Sequence, residues 1–155
     1  MSDDVLSIIP VDPRWQPERD AVRRVVPLVE KLVPVADEGA GVRIDVRWHG
    51  TVTVVDCGGN LETIGCPLCR AAIDTEWWGD ILTDRYYDGF TTLTVEVPCC
   101  GGTTSLDALD YDWPLGFARF ELAVRNPERA SFNEDELTAL ADGLGHPVKQ
   151  IRARV

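Results

Sequence analysis

The chain has 155 residues, of which 45% are hydrophobic, and its 26 acidic against 15 basic residues give a formal net charge of −11. This length and apolar content suit one globular domain over residues 1–155, and the acidity opposes binding to nucleic acid phosphates. No apolar run approaches the roughly 18 residues of a membrane span, and the acidic N-terminus lacks the basic start of a secretory signal, so we expect a cytoplasmic protein.

The first third of the chain predicts a strand, a helix and a hairpin. Residues 6–11 are short and apolar, as in a buried strand. Over 17–34 apolar residues recur at helical spacing, and Pro27 inside this pattern predicts a kink or two consecutive helices. Residues 42–48 alternate apolar and charged side chains, and His49-Gly50 is expected to form a two-residue turn into a second strand.

The remaining two thirds supply further helices and strands. The predicted elements are a helix over 73–87, strands over 92–97 and 117–124, a helix over 133–143 and a strand over 148–155. Asn133, followed three residues later by Glu136, matches the capping pattern that begins a helix. The order of elements predicts an α+β fold: a mostly antiparallel sheet with flanking helices and a zinc-knuckle insertion.

Five cysteines carry the strongest chemical information in the chain. In a reducing cytosol, clustered cysteines bind metal or do redox chemistry more often than they form disulfides. Zinc prefers four thiolate or imidazole donors in a tetrahedron, and both a C-x₂-C turn and an adjacent cysteine pair are present. The sequence predicts one structural Zn²⁺ in a subsite formed by 57–74 and 97–104, with the ligands Cys66, Cys69, Cys99 and Cys100.

The pattern Cys66-Pro67-x-Cys69 resembles the first knuckle of zinc-ribbon proteins. The second knuckle of that family is usually another C-x₂-C, whereas this chain has adjacent cysteines. The wider layout is also similar to that of small uncharacterised bacterial proteins, a resemblance that implies no activity. Cys57, at a strand end, is expected to be a bystander, with replacement of Cys99 or Cys100 as the alternative. Iron would suit four thiolates as well as zinc.

Other chemistries remain open. The segment Cys66–Cys69 is also similar to the glutaredoxin motif Cys-Pro-x-Cys, which implies thiol-disulfide exchange with Cys66 as the nucleophile. That chemistry needs the motif to follow a strand and open a helix, and the residues before Cys66 do not alternate as a strand. A catalytic zinc would need a vacant position and usually histidine; His49 is expected in a turn and His146 in a loop.

The sequence therefore favours a non-enzymatic protein-protein interaction module, an adaptor or an inhibitor. The alternatives are a thiol-disulfide oxidoreductase and a nucleic-acid-associated zinc ribbon. The basic segment 149–154 is expected to be a solvated strand face, with a contact for an acidic partner as its alternative. Several large aromatic residues are expected in the core or at its rim, and any that are exposed would mark a binding patch. These residues are Trp77, Trp78, Trp113 and Phe117.

Overall fold

The computed structural model describes residues 4–33, 43–55, 57 and 61–154. In chain order, the elements are β1 (Asp4–Pro10), α1 (Arg19–Leu32), β2 (Arg43–Val55), β3 (Ile64–Gly65), α2 (Thr75–Tyr87), β4 (Thr94–Glu96), β5 (Thr103–Ser105), β6 (Asp110–Tyr111), β7 (Gly116–Arg125), α3 (Glu134–Leu144) and β8 (Val148–Arg154). A short 3₁₀ turn, Leu106–Ala108, lies between β5 and β6. These helices and strands confirm the predicted α+β fold.

The main sheet has four strands in the order β2-β7-β1-β8, and every neighbouring pair is antiparallel. The chain forms it as β1-α1-β2 and then, after a long insertion, as β7-α3-β8. This is the β-α-β-β-α-β topology called ferredoxin-like or split βαβ. The insertion lies between β2 and β7, and it contains all five cysteines.

A first core lies between the main sheet and the helices α1 and α3. Its buried residues include Leu6, Ile8, Val22, Val25, Val29, Phe120, Leu122, Val124, Phe132, Leu140 and Leu144. The helical spacing of the α1 valines and the alternation along β7 predicted these inward faces. The spacing of apolar residues in the sequence is therefore sufficient to predict the buried faces of this first core.

A second core lies within the insertion and supports its cysteine turns. Its buried residues are Val52, Ile64, Cys66, Ile73, Phe90, Leu93, Val95, Val97, Leu106, Leu109, Leu115 and Phe117. Helix α2 has no buried residue and rests on this core through a half-buried stripe. The stripe consists of Trp77, Trp78, Ile81 and Leu82, the set that helical spacing predicts. The Trp78 indole also donates a hydrogen bond to the Tyr111 hydroxyl at 3.1 Å.

The predicted hairpin at His49-Gly50 is wrong, because β2 is one strand that pairs with β7 on both sides of this dipeptide. Trp48 pairs with Phe120 and Thr53 with Ala118, so residues 49–52 bulge opposite a single residue, Arg119. The Gln16 amide fills the bulge by donating to the carbonyls of His49 (2.9 Å) and Arg119 (3.0 Å). The turn sequence therefore forms a four-residue bulge within one strand, and a side chain distant in the chain satisfies the His49 and Arg119 carbonyls there.

Pro27 does not divide α1 into two helices, because α1 runs through it from Arg19 to Leu32. Pro27 lies on the exposed face of the helix, between the buried residues Val25 and Val29. On that side, the carbonyl that loses its helical partner to proline can bond to water. Residues 34, 42 and 155, which end the predicted helical pattern, begin the strand over 42–48 and end the strand over 148–155, fall outside the described residues.

The start of α3 confirms the capping prediction. The Asn133 side chain accepts a hydrogen bond from the Glu136 N–H (2.8 Å), and Glu136 accepts one from the Asn133 N–H (2.9 Å). Arg129 also pairs with the Glu136 carboxylate, with 3.0 Å between Nη1 and Oε2. The Arg129 hydrogen bonds, followed by that of the Asn133 N–H, hold the pKa of Glu136 below its usual range.

Glu136 should make stability depend on pH at the acid end. Because its pKa is lower in the folded chain, its contribution is present above the usual carboxyl range and is lost as the pH falls through the folded pKa. We expect Glu136→Gln to have a lower free energy of unfolding than the wild type at neutral pH. The difference between the two proteins should shrink as the pH is lowered. Urea unfolding at several pH values measures it. A gap that stays constant with pH would contradict this role.

Candidate metal centre

The first cysteine turn, residues 66–71, directly follows β3 and closes a short hairpin. The Cys66 N–H donates to the Ala71 carbonyl at 2.9 Å, and the Arg70 N–H donates to the Cys66 carbonyl at 3.0 Å. Gly65 and Ala72 pair as an antiparallel bridge on either side of the turn. Arg70 has φ 66°, a left-handed conformation that is uncommon outside glycine. Cys66 and Cys69 are thereby held by one tight turn.

The second cysteine turn, residues 97–102, closes the β4-β5 hairpin with the same hydrogen bonds. The Val97 N–H donates to the Gly102 carbonyl, and the Gly101 N–H donates to the Val97 carbonyl, both at 2.9 Å. Glu96 and Thr103 pair on either side, as Gly65 and Ala72 do in the first turn. Gly101 has φ 71° and so repeats the left-handed conformation of Arg70.

The two turns are therefore copies of one local structure, displaced by 31 positions (66 and 97, 70 and 101, 71 and 102). The correspondence assigns a counterpart to each cysteine. Cys69 corresponds to Cys100, but Cys66 corresponds to Val97, and Cys99 corresponds to Leu68. The second turn thus has an apolar residue at the first ligand position of a C-x₂-C knuckle, and its extra cysteine lies two positions later.

The two turns bring together the four cysteines that the sequence predicted as ligands. The Sγ atoms of Cys66, Cys69, Cys99 and Cys100 all lie within 4.8 Å of one another. Cys69 and Cys99, one from each turn, have their sulfurs 3.4 Å apart. None of the four is in a disulfide. Cys66 is buried at 1% exposure, whereas the other three are exposed.

Packing explains why the two turns meet. Ile64 and Cys66 at the first turn, and Val95 and Val97 at the second, are all buried in the second core. The Leu68 side chain lies only 2.6 Å from the place that a β-carbon on residue 102 would occupy. Gly102 therefore lets the tip of the first turn approach the second turn closely.

Backbone hydrogen bonds favour the thiolate form of Cys66. Its Sγ accepts the N–H groups of Leu68 (3.4 Å) and Cys69 (3.5 Å). Chiefly because of the Cys69 N–H, these bonds lower the pKa of Cys66 to about 7, against the opposing effect of burial. Such N–H groups offset sulfur charge in metal-binding turns.

The sulfurs of the second turn resist ionisation. Loss of hydration, reinforced by the neighbouring Cys69 and Cys66, raises the pKa of Cys99 to about 12. The Gly102 N–H alone would lower the pKa of Cys100, but loss of hydration and the same two neighbours raise it overall. Four thiolates this close repel one another, and a divalent cation among them removes that repulsion while displacing protons.

The other candidate ligands lie outside the four-sulfur cluster. Cys57 is fully buried and packs with Ile9, Val55, Ala118 and Ile151. His49 lies in the β2 bulge, and His146 stacks on Trp15 with ring centroids 4.5 Å apart. Among the residues that the structure describes, only the four predicted cysteines form a group that could hold a metal ion.

The expected aromatic packing is confirmed, and a different aromatic pair is exposed. Phe117 is buried in the second core, and Trp77, Trp78 and Trp113 pack partly buried against the inner clusters. The exposed pair is Tyr86 (65%) and Tyr87 (83%), at the end of α2. The sequence pattern did not predict the exposure of this pair.

The basic segment near the C-terminus does not form one patch. Along β8, Lys149 lies on the same face of the sheet as the buried residues Ile151 and Ala153, and burial lowers its pKa. Arg152 and Arg154 point to the opposite face, where Arg154 lies 3.9 Å from Asp4. This alternation splits the positive charge between two surfaces.

Comparison with protein-family models, curated proteins and solved structures found no match for the chain. The likeness to zinc ribbons therefore rests on the turns themselves and on the four clustered sulfurs. In the described part of the chain, none of the helices has the length and apolar character needed to cross a membrane.

Cys57 should matter for packing and not for metal. We expect Cys57→Ala to bind as much metal as the wild type and to lose about 1 kcal/mol of unfolding free energy, the cost of removing a small buried apolar group. Elemental analysis and denaturant unfolding measure the two effects. Loss of metal in this variant would place Cys57 among the ligands.

Proposed function

We propose that this protein is a non-enzymatic, cytoplasmic interaction module whose insertion is held together by one structural zinc ion. The observation that carries the proposal is the meeting of four cysteine sulfurs, within 4.8 Å, from two copies of one turn. Four thiolates fill a tetrahedral zinc site and leave no position for a substrate, as in structural centres. Zinc is proposed over iron on the likeness to zinc ribbons, since four thiolates suit either metal.

The role of the metal is to support the second core. The strands of the insertion are only two or three residues long, and isolated short hairpins are marginally stable. A structural zinc contributes on the order of 10 kcal/mol to the folding of small domains. Bound here, it ties both hairpins to the core on which α2 rests.

The surface proposed for binding is the acidic face of α2, formed by Glu76, Asp80, Asp84, Asp88 and Tyr87. All five side chains are exposed, and none of the four carboxylates forms a salt bridge with another described residue. Like charges at this spacing destabilise a helix by about 0.2–0.5 kcal/mol per pair. A basic protein partner would relieve this repulsion, and the exposed tyrosine supplies apolar contact area. An adaptor or an inhibitor of a basic protein fits this face.

Two observations favour this proposal over thiol-disulfide exchange. The Cys66–Cys69 segment closes a hairpin, and α2 begins only at Thr75, so the motif lacks the helix N-terminus that activates such cysteines. Cys66, the nucleophile in that scheme, is only 1% exposed. The nucleic-acid alternative is disfavoured by the net charge of −11 and by the division of the basic segment between two faces.

Loss of a ligand should remove metal and stability together. Protein purified from cells grown without added metal is expected to contain one zinc per chain by elemental analysis. Cys69→Ala should lower that content and the melting temperature, because three thiolates leave the hairpins poorly joined. Hydrogen exchange should rise within 61–115 and much less in β1 and α3. Full zinc with unchanged melting in Cys69→Ala would remove Cys69 from the centre, and iron in place of zinc would correct the metal.

The acidic face of α2 should decide partner binding. We expect Asp80→Asn combined with Asp84→Asn to weaken binding of a basic partner by about tenfold or more, since the favourable charge contacts are lost. The partner is captured from the source cell and its affinity is then measured by titration. Asp142→Asn, an exposed change on α3, is the matched control. Equal binding by the double variant and the control would rule out this face.

A further inference from the structure

The four sulfurs of the proposed centre do not occupy equivalent positions. Cys66, Cys69 and Cys100 lie at the first and fourth positions of the two matched turns, where a C-x₂-C knuckle places its ligands. Cys99 lies at the third position, the counterpart of Leu68. The Leu68 side chain is 53% exposed at the tip of its turn.

The position that a fourth regular ligand would occupy is filled by Val97. This valine is buried in the second core, as its counterpart Cys66 is, and its side chain has no atom that can bind a metal ion. The centre therefore obtains its fourth sulfur from the tip of the second turn. Cys99 and Cys100 are neighbours in the chain, and both must turn toward the same ion.

Backbone hydrogen bonds reach two of the four sulfurs, those of Cys66 and Cys100. Two backbone N–H groups donate to the Cys66 sulfur, and the Gly102 N–H interacts with the Cys100 sulfur. The other two sulfurs, those of Cys69 and Cys99, lie 3.4 Å apart, and neither receives a backbone N–H within the described residues. Cys99 also interacts with the Cys66 sulfur. Of these two cysteines, only Cys99 lies outside the regular ligand positions of its turn. A coordinated thiolate without such donors keeps more of its charge and is the more reactive one.

From this asymmetry we propose that Cys99 is the displaceable ligand of the metal centre, and that an external thiol can take its position, binding as the thiolate. The inference rests on the proposed metal centre. In the exchange, the metal–sulfur bond to Cys99 breaks and one to the incoming sulfur forms. The proton of the incoming thiol passes to Cys99, so the charge of the centre is unchanged. The exposure of Cys99 gives the incoming thiol access, whereas the burial of Cys66 denies it.

Chemical rescue in the full-length protein tests this proposal. Cys99→Ala and Cys66→Ala are each loaded with Co²⁺, whose thiolate charge-transfer absorption reports the number of bound sulfurs, and are titrated with 2-mercaptoethanol. We expect the monothiol to restore the wild-type cobalt spectrum in Cys99→Ala, and to raise its metal affinity at least about tenfold. It should do neither in Cys66→Ala.

A second variant keeps the test independent of any folding defect. Val97→Cys combined with Cys99→Leu gives the second turn the residue pattern of the first, with all four thiolates at regular positions. We expect it to show the four-thiolate cobalt spectrum without added thiol and to react with iodoacetamide at least about tenfold more slowly than the wild type, whose Cys99 should be the first residue alkylated.

The outcomes separate this inference from the proposed function. Wild-type protein that binds no metal overturns both. Wild-type protein that binds metal, combined with equal rescue of the two alanine variants or with no rescue of Cys99→Ala, overturns the displaceable ligand alone. First alkylation at Cys69 or Cys100 in the metal-loaded wild type would also overturn it.

Discussion

The contact between two cysteine turns is the interaction on which the insertion depends. Each turn closes a hairpin of two or three residues per strand, too short to be stable without support. Burial of Ile64, Val95 and Val97 in one small core brings the hairpins together, and the four sulfurs meet at the edge of that core. Without a cation, the same arrangement crowds sulfurs that resist ionisation. A metal ion in the proposed centre would replace the repulsion between thiolates by attraction and would join the two hairpins.

The main sheet supplies the platform for the insertion. The insertion begins after β2 and ends before β7. Before the bulge at 49–52, the β2 residues Ile44, Val46 and Trp48 pack against the first core, whereas Val52, at the end of the bulge, belongs to the second. Phe117 on β7 also enters the second core, while Phe120 stays in the first. The two cores therefore share two strands, so that stability gained at the metal centre can reach the sheet through them.

Local patterns were sufficient for most of the fold. The spacing of the α1 valines, the alternation along β7 and the Asn133–Glu136 cap each depend on neighbouring residues, and the structure confirms them. The predicted hairpin at His49-Gly50 failed because the partner of that dipeptide, Gln16, is distant in the chain. Similarly, thiolate chemistry was sufficient to predict that four cysteines cluster. It did not predict that the two turns that carry them have the same backbone structure. The turns share only the proline at their second position and the cysteine at their fourth, and it is the backbone hydrogen bonds that show them to be the same structure.

The metal centre and the acidic face of α2 act on the same charge balance. A divalent cation with four thiolates leaves about two negative charges at a site with three exposed sulfurs, which adds to a chain already at −11. Helix α2 buries no residue, and its carboxylates at four-residue spacing form no salt bridge with the rest of the described chain. The helix is therefore held mainly by the stripe that rests on the second core and by Arg85, which donates to the carbonyls of Thr92 and Thr94. Any loss of order in that core would therefore free the helix. An ion bound in the proposed centre would thus also determine whether the acidic face is presented, and a basic partner bound to that face would in turn stabilise the metal-bound form.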